Sequence, residues 1–212
     1  MSKRIRLLIS RGEESKYLSH LDVSRIWVRA CRRAGLNIKY SEGFSPNPKL
    51  IIASPLPVGV MAKADFLEIE CEETARTVMQ VLPSALPLGF GVHSAIEVAA
   101  SLPSLQSLVS SAEYEVLVNC NFTYEELFQK IETFMDSESV IFKRVREGSS
   151  KEFNIRPLVL SAQIVSLQDG LLKMHLCLMC SPEGTGRCDE FCASTGLPVP
   201  ISITRTRLFL RN

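Results

Sequence analysis

The sequence has no apolar run approaching the roughly 20 residues needed to span a bilayer. Behind the basic Lys3, Arg4 and Arg6 there is no apolar core region followed by a small-residue cleavage site, so no secretory signal is read. No membrane partner is therefore expected. The chain has no disulfide framework either: its seven cysteines are odd in number and irregularly spaced, which points to a reducing cytoplasm. P-loop, GxGxxG, GxSxG and HExxH signatures are all missing. A strong overall charge is missing too, the net value being +1. What is present is an ordinary globular balance of 46% apolar and 22% charged residues, which excludes disordered, collagen-like and coiled-coil chains. A length of 212 residues suits one large domain or two of about 100 residues.

The small net charge conceals a segregation. Residues 1–60 carry 11 Lys/Arg against 4 Asp/Glu, residues 61–142 carry 3 against 13, and residues 143–212 carry 10 against 6. Such blocks give separate basic and acidic surfaces if each stays together in space, or neutralise each other across an internal interface.

Hydrophobic periodicity places the elements. Residues 5–9 read as a strand, and 12–16 as a polar turn. A helix then starts at Ser19, with Asp22 completing a variant capping box; Val23, Ile26, Trp27, Ala30 and Ala34 form its core face and Gly35 its stop. Residues 37–40 and 50–53 read as strands around a loop, although prolines at 46, 48, 55 and 57 disfavour a central place in a sheet. Residues 64–70 alternate as a half-buried strand, 74–82 form a helix ended by Pro83, and 91–98 close the first half.

Residues 99–111 hold no charge and serve as a linker between halves 1–98 and 112–212. The second half repeats the order: a strand at 114–118, a helix at 124–135 capped by Thr123 with Leu127, Phe128, Ile131 and Phe134 inward, and short strands at 140–143 and 153–155. A hairpin follows, turning at Asp169-Gly170, then a short helix at 189–193 and a final strand at 201–210. The economical fold is α+β: two ferredoxin-like halves, each a split βαβ arrangement with an antiparallel sheet.

Two neighbouring motifs carry chemistry. Arg25, Arg29, Arg32 and Arg33 recur at intervals of four and three, so four guanidiniums share one helix face opposite the apolar one. Such a row suits phosphate oxygens, an acidic protein surface or plain solvent, and Lys39 and Lys49 can extend it. The loop Tyr40-Ser41-Glu42-Gly43-Phe44-Ser45-Pro46-Asn47-Pro48-Lys49 is stiffened by two prolines, with Phe44 either anchored in the core or offered for stacking.

Tyr17-Leu18-Ser19-His20-Leu21-Asp22, the helix through Arg29, Arg32, Arg33, Ala34 and Gly35, and the Gly43–Lys49 loop resemble the radical-SAM-linked proteins, a bacterial family of unknown function. The likeness continues through Pro55-Leu56-Pro57-Val58-Gly59 and, more weakly, Asn154-Ile155-Arg156-Pro157 and Ile203-Thr204-Arg205-Thr206. Only the first 60 residues carry specific motifs. The resemblance implies an accessory role beside a radical SAM protein, with RNA modification as its setting, and supplies no established activity. The family loop usually carries an asparagine and a histidine where this chain has Ser45 and Asn47. A catalytic or ligand role for that histidine is thus lost here, while hydrogen bonding by an amide survives.

The reading that follows is an RNA-binding or RNA-presenting accessory protein without a cofactor, its contacts made by Arg25, Arg29, Arg32, Arg33, Lys39, Phe44, Asn47 and Lys49. The alternatives are a protein-docking adaptor and a small RNA-processing enzyme using His20 and Tyr17, since histidine exchanges protons near neutral pH. Ser19 and Asp22 beside them are already explained as a helix start. Cys177, Cys180, Cys188 and Cys192 are four thiols of metal-ligating type, but Cys177 and Cys180 point to opposite faces unless their strand breaks between them. The expectation is semi-buried thiols and no metal. The CxxxCxxC order of a radical SAM cluster is absent, so the chain is not itself that enzyme.

Overall fold

In the computed structural model, which describes residues 2–146 and 149–211, the chain forms two compact units. One runs to Val109 and takes back the last residues from Leu210; the other is Ser110–Phe209. Each is ferredoxin-like.

The N-terminal unit comprises β1 (Lys3–Arg11), α1 (His20–Arg33), β2 (Leu50–Ile52), β3 (Val60–Cys71), α2 (Ala75–Val81), β4 (Phe90–Val98) and the short α3 (Leu105–Leu108). Its sheet runs β2-β3-β1-β4 with all three pairings antiparallel. This is the split βαβ order, in which each strand–helix–strand crossover leaves room for a strand between its ends. Ile5, Leu7 and Ile9 of β1 face the helices and are buried with Val23, Trp27, Ala30 and Cys31 of α1. Each large apolar side chain buried in this way contributes about 1.5–3 kcal/mol relative to exposure. The Trp27 ring meets Phe90 edge to face at 5.9 Å.

The ends of α1 follow from its sequence. Ser19 Oγ accepts from the Asp22 amide at 3.2 Å and donates to the Asp22 carboxylate at 2.7 Å. At the other end Gly35 has φ 75°, and the Leu36 amide reaches back to the Cys31 carbonyl at 3.0 Å, closing the helix in the left-handed stop that glycine permits.

Two details of this unit differ from the sequence reading. Residues 37–40 are not a strand: the chain is extended there with a single bridge, Tyr40 to Pro48, because Pro46 and Pro48 have no N–H to continue a ladder. β3 is longer than expected and buried on both faces rather than half-buried. Glu68, only 2% exposed, lies under Arg4 and Arg6, whose Nε atoms donate to its two oxygens at 2.5 and 2.8 Å. The uncharged stretch 99–111 holds α3, with Leu105 fully buried, and Arg4 donates to the Leu102 and Pro103 carbonyls at 2.7 Å.

The C-terminal unit comprises β5 (Val109–Asn119), α4 (Tyr124–Asp136), β6 (Ile141–Arg146), β7 (Ser149–Asn154), β8 (Val159–Gln168), β9 (Leu171–Ser181), β10 (Gly184–Thr185), α5 (Cys188–Ser194) and β11 (Ser202–Leu210). Its sheet runs β8-β9-β5-β11, with β10 added beside the end of β9, so the order of the first unit recurs. Asp169 (φ 51°) and Gly170 (φ 75°) make the turn between β8 and β9, as the Asp-Gly pair predicts. Thr123 and Glu126 complete a full capping box at the start of α4.

Here the differences are two. Phe128 is 51% exposed although Leu127, Ile131 and Phe134 are buried as expected. It sits at the edge of the apolar stripe and borders an open groove with Tyr124, Met135 and Ile164. The short strands near residues 140 and 155 pair with each other as a separate ribbon of β6 and β7 instead of joining the sheet. Arg144 of that ribbon grips the buried Glu190 of α5 through two hydrogen bonds of 2.6 and 2.8 Å.

Candidate nucleic-acid interface

All four arginines of α1 are exposed, but they are not equally available. Arg25 makes a long 3.3 Å contact to Asp22, with both side chains largely in solvent. The Ser19 hydroxyl, and after it Arg25, hold the Asp22 carboxyl below its usual range. Arg33 is engaged, its Nε donating to the Ala85 carbonyl at 3.1 Å. Arg32 donates to the Tyr40 hydroxyl, and its guanidinium lies 5.8 Å from the Tyr40 ring centre. Arg29 makes no hydrogen bond or ion pair among the described residues. Arg25 and Arg29 are therefore the outward charges, while Arg32 and Arg33 also hold structure together.

The Arg32–Tyr40 contact ties the end of α1 to the neck of the 41–48 loop. That neck is closed by the Ser41 amide donating to the Asn47 carbonyl at 2.8 Å and the Asn47 amide donating to Ser41 Oγ at 3.0 Å. Asn47 also donates from its side chain to the Ser45 carbonyl at 3.1 Å, so its amide shapes the loop. Gly43, at φ 121°, turns the tip in a region that side chains disfavour, and Phe44 next to it is fully exposed. Of its two sequence readings, core anchor or open ring, the structure has the open ring.

Lys39 and Lys49 extend the row in sequence but bring no unmatched charge. Lys39 pairs with Glu72, and Lys49 with Glu70 at 2.8 Å. Hydrogen bonding to Lys49 holds the Glu70 carboxyl below its usual range, and Glu72 raises the Lys39 ammonium. With Lys3–Glu97 at 2.9 Å and the Arg4–Glu68–Arg6 triad, the basic first 60 residues meet the acidic stretch that follows them in several ion pairs. What stays unmatched is concentrated on α1.

His20 and Tyr17 are both exposed. His20 is exposed and borders a cavity of about 20 Å³ lined also by Arg11, Asp65, Trp27, Pro55 and Phe90, a space the size of one water molecule rather than of a substrate. Tyr17 is not part of that lining; it is 73% exposed, with Lys16 Nζ 5.0 Å from its ring centre. Buried Arg11 closes the turn before α1 by donating to the carbonyls of Ser15, Lys16 and Leu18 at 2.8–3.1 Å.

The four late cysteines are spread over β9 and α5. β9 continues unbroken through Leu178 and Met179, so Cys177 and Cys180 point to opposite faces. Burial pushes the Cys192 thiol up to about 12 and Cys188 well above its usual value, which favours the protonated form. Among the described residues no group of three or more His, Cys, Asp or Glu side chains is placed to hold a metal ion.

Sequence reasoning missed Tyr40 as the link between helix and loop and Glu68 as the hub of a buried ion triad. Neither has a local signal, because each partner lies on another element. Among the described residues no helix is long and apolar enough to cross a membrane.

The fold recurs in solved structures. A chain in the crystal structure of a Cbf5-Nop10-Gar1 complex superposes with a TM-score of 0.56 at 10% identity, over 98% of this chain and 50% of that one. A chain in the structure of an H/ACA RNP bound to a substrate RNA containing 2'-deoxyuridine gives 0.49 at 13% identity, over 94% and 47%. The chain thus spans about half the length of these structures. At such identities the likeness shows the fold alone. A search of curated proteins finds no match. The sequence from residue 4 to residue 187 matches one bacterial family model, and on that extent the chain belongs to the family described as "Uncharacterized protein conserved in bacteria (DUF2344)".

Proposed function

We propose that the chain is an RNA-binding accessory protein that presents RNA to a radical SAM enzyme, using the outer face of α1 and the loop beside it. The observation that carries the reading is the Arg32–Tyr40 contact, which joins a row of outward guanidiniums and a stiff loop into one surface. Guanidiniums on a rigid helix donate to phosphate oxygens with little ordering cost. The carboxylates of the same unit that could neutralise a cationic face are largely taken by other lysines and arginines. The enzyme partner comes from the resemblance of the Tyr17–Asp22 and Gly43–Lys49 motifs to the radical-SAM-linked proteins.

The test is RNA affinity as a function of salt. Binding is expected to weaken steeply as salt rises, and Arg25→Glu with Arg29→Glu to cut the slope of log K against log salt by about 0.7–0.9 per lost contact. Arg33 is left in place because it holds the Ala85 carbonyl. Unchanged affinity in the double variant would move the basic face to an acidic protein partner. An RNA-processing activity lost in His20→Ala would instead favour the enzyme alternative.

A further inference from the structure

Two side chains of the α1 surface make no sense for a duplex ligand. Phe44 is fully exposed and Tyr17 is 73% exposed, where burying rings of this size would contribute about 1.5–3 kcal/mol each. Phe44 is held out: the Tyr40–Pro48 bridge and the Ser41–Asn47 hydrogen bonds close the neck behind it, and Pro46 and Pro48 stiffen the arms. Tyr17 is held by its neighbour, since the Lys16 carbonyl accepts from the Gly59 amide at 2.8 Å while Lys16 Nζ sits over the ring and pairs with Glu13.

Leu21, Arg25 and Arg29 recur at steps of four along α1, so one helix edge reads apolar, cation, cation, and Tyr17 lies in the turn just before the Ser19 cap. Leu21 is itself 64% exposed. Beyond Arg29 the Arg32–Tyr40 contact leads to the loop that carries Phe44. The 14 residues of α1 rise about 21 Å; Tyr17 lies in the turn before the first of them, and the loop that carries Phe44 is tied to Arg32 near the last.

A paired helix presents phosphates, but its base faces are stacked on one another. Only splayed-out, unpaired bases can lie on protein rings. We infer that this surface takes unpaired RNA, with bases stacked on Tyr17 and Phe44 and the backbone following Arg25 and Arg29. The inference rests on the RNA-binding reading and adds the class of RNA.

The probes are a fluorescein-labelled oligouridine and a fully paired RNA duplex of equal length, titrated with the whole chain at one salt concentration. Oligouridine is expected to bind at least about tenfold tighter. Phe44→Ala and Tyr17→Leu should each weaken oligouridine about 5- to 100-fold while leaving duplex affinity and the salt slope unchanged, and Phe44→Tyr should keep the affinity. Equal or tighter duplex binding, or no loss in both ring variants, overturns this inference and leaves RNA binding standing. Failure of both probes to bind at low salt overturns the two together. Both rings are in solvent, so their removal leaves the core intact.

Discussion

α1 and α4 occupy the same place in two units of the same strand order, and they carry opposite charge. α1 turns Arg25, Arg29, Arg32 and Arg33 outward; α4 turns out Glu125, Glu126, Glu132 and Asp136. The segments after them also differ: the first unit has the pinned 41–48 loop, the second the β6–β7 ribbon held to α5 by Arg144 and Glu190. Topology therefore sets where a helix face and a loop will appear but not what they bind. The apolar faces have to match the same sheet packing. The outer faces are free to diverge.

The interiors offer the sharpest way to test the comparison, because Glu68 in one unit and Glu190 in the other are buried against arginine. Glu68 answers two guanidiniums that are themselves mostly covered, whereas Glu190 answers one, Arg144, that is 27% exposed. Glu68→Ala is expected to cost about 3–5 kcal/mol, because it strands buried charge. Trp27, the chain's one tryptophan, sits in the core on the other face of the same unit's sheet and reports the loss as a lower urea midpoint by fluorescence. Glu190→Ala should cost about 1.5–3 kcal/mol, read by circular dichroism. Equal losses would mean that the two ion pairs are alike after all.

Alkaline pH should weaken both units. Burial pushes Cys31 up to about 12 and Cys71 to about 11 in the first, and Cys192 to about 12 in the second. In the unfolded chain a thiol ionises near 8.5, so above that pH the unfolded state has given up protons the folded state still holds. Stability is thus full below about pH 8.5 and falls as pH rises toward the folded values, by about 1 kcal/mol per pH unit for each thiol. Urea midpoints at pH 7 and pH 10 check the sign; a rise would refute it. The partly exposed Cys177 should be alkylated before the six buried cysteines.

The smallest effect expected is on α4. Glu125→Lys with Glu132→Lys should add only the weak, salt-sensitive RNA affinity of any basic patch, gone at physiological salt. Binding as tight as that of the α1 surface would show that charge alone decides and that the loop contributes nothing.

By itself the sequence determined what depends on neighbours along the chain. The Ser19 cap and Gly35 stop of α1, the Thr123 N-cap, the Asp169-Gly170 turn, the apolar run of β1 and the alternation of residues 64–70 are all short-range rules, and together they yielded the ferredoxin-like order of both units. The arginine row was legible for the same reason, since helical spacing alone puts those residues on one face. Tertiary structure alone decided which of these charges are matched. Arg32 meets Tyr40, Arg33 meets Ala85, Lys39 meets Glu72, and Glu68 sinks between Arg4 and Arg6. Each partner comes from a different element, and the strength of an ion pair depends on distance and burial, which no linear spacing encodes. Phe44 shows the same limit: its ring was equally suited to core or solvent until the closed neck of its loop turned it outward.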